Sequence, residues 1–362
     1  MMQSMETISK KIKSLYKSYG YKKFKMNKFE EYDTYVKNKD FLISDKVITF
    51  TDTNGKLMAM KPDVTISIIK NTDSEKNSLN KLYYSENVYR VTKGSHTFKE
   101  ILQCGLECIG DVDTYSVCEV LCLAAKSLLC ISYDVVLDIS HMGLVSAILN
   151  YVGVKENSIS KVLNAISEKN IPELKSILDE QGVSDAELIL KLVLCNGTIG
   201  EIKDKLDEFK VDDDTTNAVN ELKEICENLC DFTFAKTINV DFSVVNDMNY
   251  YDGVVFKGYV DGVPGGVLSG GQYDRLAEKM GKSAKAIGFA LYLDMLERLF
   301  TEDKPYDADI LICYEDGVSP RTVFEKAEMC IQSGKTVLVA KNTENESRCK
   351  ETIFLKKEGT KN

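Results

Sequence analysis

Apolar and polar positions along the chain repeat with the period of a helix in some segments and with the period of a strand in others. Residues 4–19 have helical spacing, and Gly20 marks the predicted end of that helix. Two strand pairs joined by short turns or loops are predicted, together with further single strands. The predicted strands are 47–52, 57–60, 82–91, 98–109, 135–139, 236–242, 253–260, 263–269, 309–314 and 336–340.

Helical periodicity is strongest between residues 142 and 230, which predicts a helical insert within a strand-rich chain. Further helices are predicted at 115–130 and 286–300. A last helix begins after Ser319-Pro320, a typical cap and first-turn pair, and stops at Gly334. The residues after 340 are predicted to form a polar tail.

These patterns predict three domains, since a chain of 362 residues is too long for one small core. The helical segment interrupts the strand-rich part, and a short α/β segment follows it. The predicted domains are a core of 1–141 and 231–303, an insert of 142–230, and a C-terminal α/β domain of 304–362.

One predicted strand, residues 101–110, separates its side chains onto two faces. The apolar face consists of Leu102, Cys104, Leu106 and Cys108. The other face carries Gln103, Gly105 and Glu107, so an amide and a carboxylate flank a position without a side chain. Glu107 can accept from a cationic amine, and Gln103 can donate and accept, so a zwitterionic amino acid is a suitable ligand. A half-exposed strand with solvated polar residues would show the same alternation.

The charge balance is acidic: 46 basic and 56 acidic residues give a net charge of −10. This balance does not favour a broad nucleic-acid surface. No apolar run approaches the length of a membrane span, and the N-terminal helix lacks the apolar core of a signal peptide. We therefore expect a cytoplasmic protein that contacts no membrane.

Eleven cysteines and two histidines are the candidate metal ligands. Three cysteine pairs with a spacing of four fall inside apolar periodic segments: Cys104 and Cys108, Cys118 and Cys122, and Cys226 and Cys230. No Cys-x-x-Cys occurs, so we expect buried free thiols and no metal site. His96 is expected in a loop, and His141 at the end of a strand.

Six blocks follow one another in an order that resembles the catalytic core of histidyl-tRNA synthetase, a class II aminoacyl-tRNA synthetase. They are MKPDVT (60–65), YYSENVYR (83–90), ILQCGLECIG (101–110), MNYYDGVVF (248–256), LSGGQYD (268–274) and AIGFALYLDML (286–296). The resemblance covers roughly residues 5–340. It implies an α+β fold: a class II aminoacyl-tRNA synthetase-like antiparallel sheet with flanking helices, a helical insert and a short C-terminal α/β unit.

The resemblance also implies a histidine pocket. In that family an acidic residue and a threonine of the first block, the Gln and Glu of the 101–110 strand, and a tyrosine of the YY-x-G block line the pocket. The tyrosine of GGQYD is a further candidate. The matching positions here are Asp63, Thr65, Gln103, Glu107, Tyr251 and Tyr273. Each keeps a chemically suitable residue.

The positions that would bind ATP differ from the family pattern. Arginine supplies fixed positive charge against a triphosphate. Met295 replaces the arginine of Gly-Leu-Glu-Arg, Asn246 that of Val-Arg-Gly-Leu-Asp-Tyr-Tyr, and Gln272 that of GGRYD. Each lost donor removes about 3 kcal/mol of transition-state stabilisation, so we expect no catalytic residue and no cofactor. Arg90 is retained and Lys99 stands where an arginine is expected; both are candidate anion-binding residues, although Arg90 could instead pair with a neighbouring carboxylate.

A synthetase core without these arginines resembles the regulatory subunit of ATP phosphoribosyltransferase, found in bacteria whose catalytic subunit is the short form. ISHMGL (139–144) and ECIG (107–110) fit that family. The resemblance implies a non-catalytic subunit that binds the catalytic subunit, is required for the first step of histidine biosynthesis, and senses histidine as a feedback ligand. It also implies self-association through the synthetase-like core. A divergent histidyl-tRNA synthetase is the main alternative, and another synthetase-like module, binding RNA or an amine, is the second.

Overall fold

The structure is a computed structural model that describes residues 5–37, 47–72, 78–91, 97–245, 250–296, 299, 306–341 and 347–356. The chain forms two compact units, Met1–Phe300 and Thr301–Asn362. The finer division of the first unit into a core and an insert domain stays a prediction.

Strands form most of the framework of the first unit. Within the described residues they are β1 (Lys22–Lys23), β2 (Phe29–Glu31), β3 (Thr49–Thr51), β4 (Leu57–Met60), β5 (Leu79–Val91), β6 (Phe98–Gly110), β7 (Val135–His141), β8 (Asn196–Thr198), β9 (Ile238–Asp241), β10 (Val254–Val260), β11 (Leu268–Gln272) and β12 (Lys285–Tyr292). Nine of these strands form one sheet in the order β1-β5-β6-β12-β11-β10-β7-β9-β8. Neighbours are antiparallel except in the pairs β1–β5 and β7–β9.

Helices pack against both faces of this sheet. In chain order they are α1 (Met5–Ser18), α2 (Tyr32–Val36), α3 (Thr65–Asn71), α4 (Thr114–Leu129), α5 (Met142–Tyr151), α6 (Glu156–Ser167), α7 (Ile171–Gln181), α8 (Ala186–Leu194), α9 (Ile199–Ile202), α10 (Asp213–Leu229) and α11 (Asp274–Lys279). The predicted helices at 4–19 and 115–130 are confirmed as α1 and α4. Asp113 caps α4 by accepting a hydrogen bond of 2.8 Å from the Ser116 backbone N–H.

One hydrophobic core joins the sheet to the helices between residues 142 and 230. It contains Leu106 of β6, Leu121 of α4, Leu222 of α10 and Phe256 of β10, all of which are fully buried. The predicted helical segment is therefore helical, with the short strand β8 inside it, and its apolar faces pack into the same core as the sheet.

The alternation predicted for 101–110 is confirmed in β6, except that Leu102, predicted on the apolar face, is exposed. Cys104, Leu106 and Cys108 point into the core and are fully buried. Gln103 and Glu107 lie on the opposite face and are also buried, at 2 % and 1 % exposure. Their burial excludes the interpretation of a half-exposed strand with solvated polar residues.

The predicted hairpin is confirmed as β3 and β4, which pair antiparallel in a small sheet with β2. Asp52 closes the turn because its Oδ1 accepts from the backbone N–H groups of Asn54 and Lys56, each at 2.8 Å. Gly55 adopts φ +81°, which favours glycine.

The predicted helix at 286–300 is wrong. Residues 285–292 form β12, a central strand of the sheet, and a 3₁₀ turn follows at Leu293–Leu296. A strand buried on both faces is apolar without alternation, so its pattern resembles that of a buried helix. The strand predicted at 263–269 is also displaced: β11 covers 268–272, because Pro264 and Gly265 precede it in a turn with φ +87° at Gly265.

The second unit is a small parallel sheet with one helix. Its elements are β13 (Ala308–Tyr314), α12 (Pro320–Gln332), β14 (Val337–Ala340) and β15 (Cys349–Leu355), with strand order β14-β13-β15. Ser319 caps α12 as predicted, accepting from the Thr322 backbone N–H at 3.2 Å. The prediction of a polar tail is wrong, because β15 completes the sheet beside β13.

The cysteines behave as predicted from their apolar surroundings. All eleven are free thiols, and seven of them are buried. His141 ends β7, and its Nδ1 accepts from the Leu144 backbone N–H at 3.1 Å to cap α5. His96 lies outside the described residues.

Candidate functional site

A polar pocket lies on the face of the large sheet opposite the helical core, over β6 and β12. It brings together all six residues that the sequence assigned to histidine binding: Asp63, Thr65, Gln103, Glu107, Tyr251 and Tyr273. Arg90 also lines it, whereas Lys99 is not part of its lining. The cavity measures about 40 Å³, room for roughly three ordered waters at about 10–15 Å³ each.

Glu107 is the most buried charged group of the pocket. Its Oε1 accepts from the Thr65 hydroxyl at 2.8 Å, and its Oε2 accepts a short hydrogen bond from the Tyr273 hydroxyl. Burial raises the pKa of Glu107 to about 8, although the two hydroxyl donors oppose that rise. Glu107 therefore holds a proton near neutral pH while the pocket is empty.

The sequence KPDVT places Asp63 and Thr65 at the start of α3. Asp63 Oδ1 accepts from the Ile66 backbone N–H at 3.0 Å, so the carboxyl group is fixed by the first turn of the helix. Burial raises the pKa of Asp63, and the hydrogen bond from Ile66 and the charge of Arg90 oppose the rise. Two carboxyl groups, those of Asp63 and Glu107, thus line the same pocket, and the charge of Asp63 raises the pKa of Glu107 further.

Two unpartnered donors also line the pocket. Arg90 Nε donates to the Pro62 carbonyl at 3.2 Å, which orients the guanidinium. Arg90 Nη2 and Gln103 Nε2 are buried and find no hydrogen-bond partner among the residues the structure describes. Buried donors without partners are rare in folded proteins and point to a missing acceptor. Because the pocket offers both donors and carboxyl groups, it is complementary to a ligand with both a carboxylate and an N–H donor.

Tyrosines form much of the remaining wall. The rings of Tyr250 and Tyr251 are 4.4 Å apart, and those of Tyr250 and Tyr273 are 6.0 Å apart. Tyr84 and Tyr292 complete the lining. The sequence did not assign Tyr84, Tyr250 or Tyr292 to the site. The strand register would have indicated Tyr84 and Tyr292, because Tyr84 pairs with Gly105 and Tyr292 pairs with Gln103 on the neighbouring strand.

Two glycines make room for this wall. Gly288 pairs with Glu107 across β12 and β6, and a Cβ at Gly288 would overlap the Glu107 carboxylate. A Cβ at Gly105 would collide with the Tyr84 ring and the Phe289 carbonyl. Gly288 therefore lies in a strand and leaves space for a pocket carboxylate.

The positions that replace the family's arginines have structural roles where they are described. Met295 packs against the hydrophobic core. Gln272 Oε1 accepts from the Val254 backbone N–H at 2.7 Å. Lys99 Nζ lies 2.8 Å from Asp294 Oδ2, so its charge is compensated within the chain. Asn246 lies outside the described residues.

An antiparallel sheet that carries a ligand pocket over its central strands, with helices behind it, is the architecture of class II aminoacyl-tRNA synthetases, as the sequence predicted. The family model described as Histidyl-tRNA synthetase matches residues 1–296. The chain therefore belongs to the histidyl-tRNA synthetase family.

Curated relatives divide between two names. The chain is 26% identical over 323 residues to the ATP phosphoribosyltransferase regulatory subunit of Ruminiclostridium cellulolyticum, covering 85% of this chain and 76% of the relative. It is 27% identical over 346 residues to the subunit of that name from Acetivibrio thermocellus, covering 92% and 82%. A histidine–tRNA ligase from Methanocaldococcus jannaschii is 28% identical over 304 residues, covering 82% and 71%. The predicted resemblance to the regulatory subunits is confirmed.

Solved structures confirm the fold. An ATP phosphoribosyltransferase regulatory subunit/histidyl-tRNA synthetase from Bacillus halodurans superposes with a TM-score of 0.81 at 22% identity, covering 97% of this chain and 94% of that one. A chain of the ATP phosphoribosyl transferase (HisG:HisZ) complex from Thermotoga maritima superposes with a TM-score of 0.61 at 19% identity, covering 79% of this chain and 96% of that one. No helix in the described part of the chain is long and apolar enough to cross a membrane.

Proposed function

We propose that this chain is the regulatory subunit of an ATP phosphoribosyltransferase and catalyses no reaction by itself. One observation carries the proposal: the six residues proposed to bind histidine line one pocket, whereas at two positions where the family has an arginine the positive charge is lost or compensated within the chain. Met295 packs into the core, and Lys99 pairs with Asp294. The names of the relatives support the same function.

The partner in this proposal is the short-form catalytic subunit, and the reaction is the first step of histidine biosynthesis. A relative assembled in an ATP phosphoribosyl transferase complex shares this fold. Self-association through the synthetase-like core and a cytoplasmic location are further parts of the proposal. Light scattering on the purified chain tests the first of these, and a monomer at micromolar concentration would contradict it.

Histidine is the proposed ligand of the pocket. Arg90 and Gln103 supply unpartnered donors for its carboxylate, and Asp63 and Glu107 supply acceptors for its N–H groups.

The test combines binding with activity. Histidine is titrated into the full chain by calorimetry, and ATP phosphoribosyltransferase activity is measured with the catalytic subunit alone and with this chain added. We expect micromolar to millimolar histidine affinity, and activity that requires this chain and falls when histidine is added. If the activity of the catalytic subunit is the same with and without this chain, the regulatory function is refuted.

A divergent histidyl-tRNA synthetase is the second candidate. Retention of Arg90 in the pocket lining favours it, as does a ligase among the relatives at similar identity. ATP–pyrophosphate exchange with histidine decides between the two. We expect no exchange above background, and robust exchange would overturn the non-catalytic assignment.

A further inference from the structure

The carboxyl group of Glu107 is buried without a compensating cation. Both of its oxygens accept from hydroxyl groups, those of Thr65 and Tyr273, which stabilise a carboxylate but carry no charge. Among the described residues, no ion pair includes Glu107. An ionised carboxylate in such a place is costly, so a buried carboxyl group either takes up a proton or acquires a cationic partner.

The groups that face Glu107 from the surrounding elements do not supply that cation. Asp63, at the start of α3, is acidic and raises the pKa of Glu107 further. The other groups are neutral tyrosines: Tyr84, Tyr250, Tyr251 and Tyr273. Burial is the largest cause that raises the pKa of each, and the charge of Glu107 is a smaller one. The positive charge of Arg90 acts on Asp63 and on Tyr292.

We propose that the pocket exchanges a proton for the ammonium group of its ligand. Without the ligand Glu107 is a neutral carboxylic acid, whose O–H donates to the oxygen of one of the two neighbouring hydroxyl groups. When a ligand ammonium approaches, the O–H bond of Glu107 breaks, the proton leaves to solvent, and the carboxylate pairs with the ammonium. Charge balances, since one cation enters as one proton leaves. This inference rests on the proposed function, because it takes histidine as the ligand.

The exchange makes ligand affinity depend on pH in a defined direction. Burial raises the pKa of Glu107 to about 8, so below that pH binding must first remove a proton. Affinity then increases about tenfold for each pH unit between pH 6.5 and 7.5 and levels off above pH 8. Histidine feedback would therefore strengthen as the surrounding pH rises.

The experiment is calorimetric titration of L-histidine into the full chain at pH 7 in buffers with different ionisation enthalpies. The slope of observed enthalpy against buffer enthalpy counts the protons released. We expect close to one proton per histidine bound, and a value near zero for 3-(imidazol-4-yl)propionate, which lacks the ammonium group.

Two variants identify the group that releases the proton. Glu107→Gln should bind histidine at least tenfold more weakly and release no proton. Asp138→Asn is the control, because Asp138 is a half-buried carboxyl group whose pKa is also raised by burial, to about 6, and it lies outside the pocket. It should leave the proton count unchanged.

Each outcome separates this inference from the function on which it rests. Histidine binding without proton release, or release that persists in Glu107→Gln, overturns the exchange and leaves the regulatory function intact. Absence of histidine binding at every pH overturns the sensing function, and the exchange with it.

Discussion

Glu107→Gln should increase the free energy of unfolding of the ligand-free protein, and this increase should become larger as pH rises. The substitution keeps the shape of the side chain and removes an ionisation that the folded state disfavours. The folded-state pKa is about 8, whereas the usual value is 4.5. Between these values the folded state holds a proton that the unfolded state has released. The free energy of unfolding of the wild type therefore decreases as pH rises from about 4.5 to 8, and is constant above that.

The magnitude follows from the shift. The folded-state and usual pKa values of Glu107 differ by about 3.5 units. At about 1.36 kcal/mol per unit, ionisation of Glu107 lowers the free energy of unfolding by at most about 5 kcal/mol at alkaline pH. Relaxation of the pocket and entry of water reduce it to roughly 2–3 kcal/mol. At about 2 °C per kcal/mol for a unit of this size, the melting temperature of Glu107→Gln should exceed that of the wild type by about 4–6 °C at pH 9.

The assay is thermal unfolding by circular dichroism at constant ionic strength, for wild type and variant, at each pH from 5 to 9. The difference in melting temperature should be near zero at pH 5 and should level off above pH 8. Asp138→Asn serves as the control: its difference should level off above about pH 6, the raised pKa of that carboxyl group. A Glu107→Gln difference that is constant from pH 5 to 9 would show that Glu107 titrates normally and would refute the reasoning.

Three further predictions concern the pocket and the core. Gly288→Ala should reduce histidine affinity more than tenfold, because the new Cβ displaces the Glu107 carboxylate; Gly200→Ala, with open space around its Cβ, should leave calorimetric affinity unchanged. Tyr273→Phe removes a hydrogen bond to the carboxylate and should weaken histidine binding by about 1.5–3 kcal/mol, with equal affinities in the two proteins as the contrary result. Ellman's reagent should react with at most four thiols in the native protein and with all eleven after denaturation, since seven are buried; rapid labelling of more than four would contradict the burial of the core cysteines.

The strand 101–110 shows what a pattern can predict. Alternation separated the apolar residues from Gln103 and Glu107 correctly, because each face of β6 meets a different environment. It could not show that both faces are buried. A polar face looks the same in sequence whether it lies against water or against the wall of a pocket.

The error at 286–300 has the opposite origin. β12 lies between β6 and β11 with large apolar residues toward the core and the small residues Gly288 and Ala290 toward the pocket, so polar and apolar residues do not alternate along it. The decision between helix and strand was made by its neighbours in the sheet. The role of Gly288 was hidden for the same reason, since its partner Glu107 is 181 positions away in the chain and is brought opposite only by strand pairing.

The sequence by itself determined the order of most elements through local spacing, and its resemblance to a known family predicted the fold and the six residues proposed to bind histidine. Tertiary structure decided the rest. It added Tyr84, Tyr250 and Tyr292 to the pocket wall, left the Arg90 and Gln103 donors unpartnered, and paired Lys99 with Asp294. It also buried Glu107 beside Asp63, without an ion pair among the described residues. Desolvation depends on everything packed around a group, and only the folded chain specifies that.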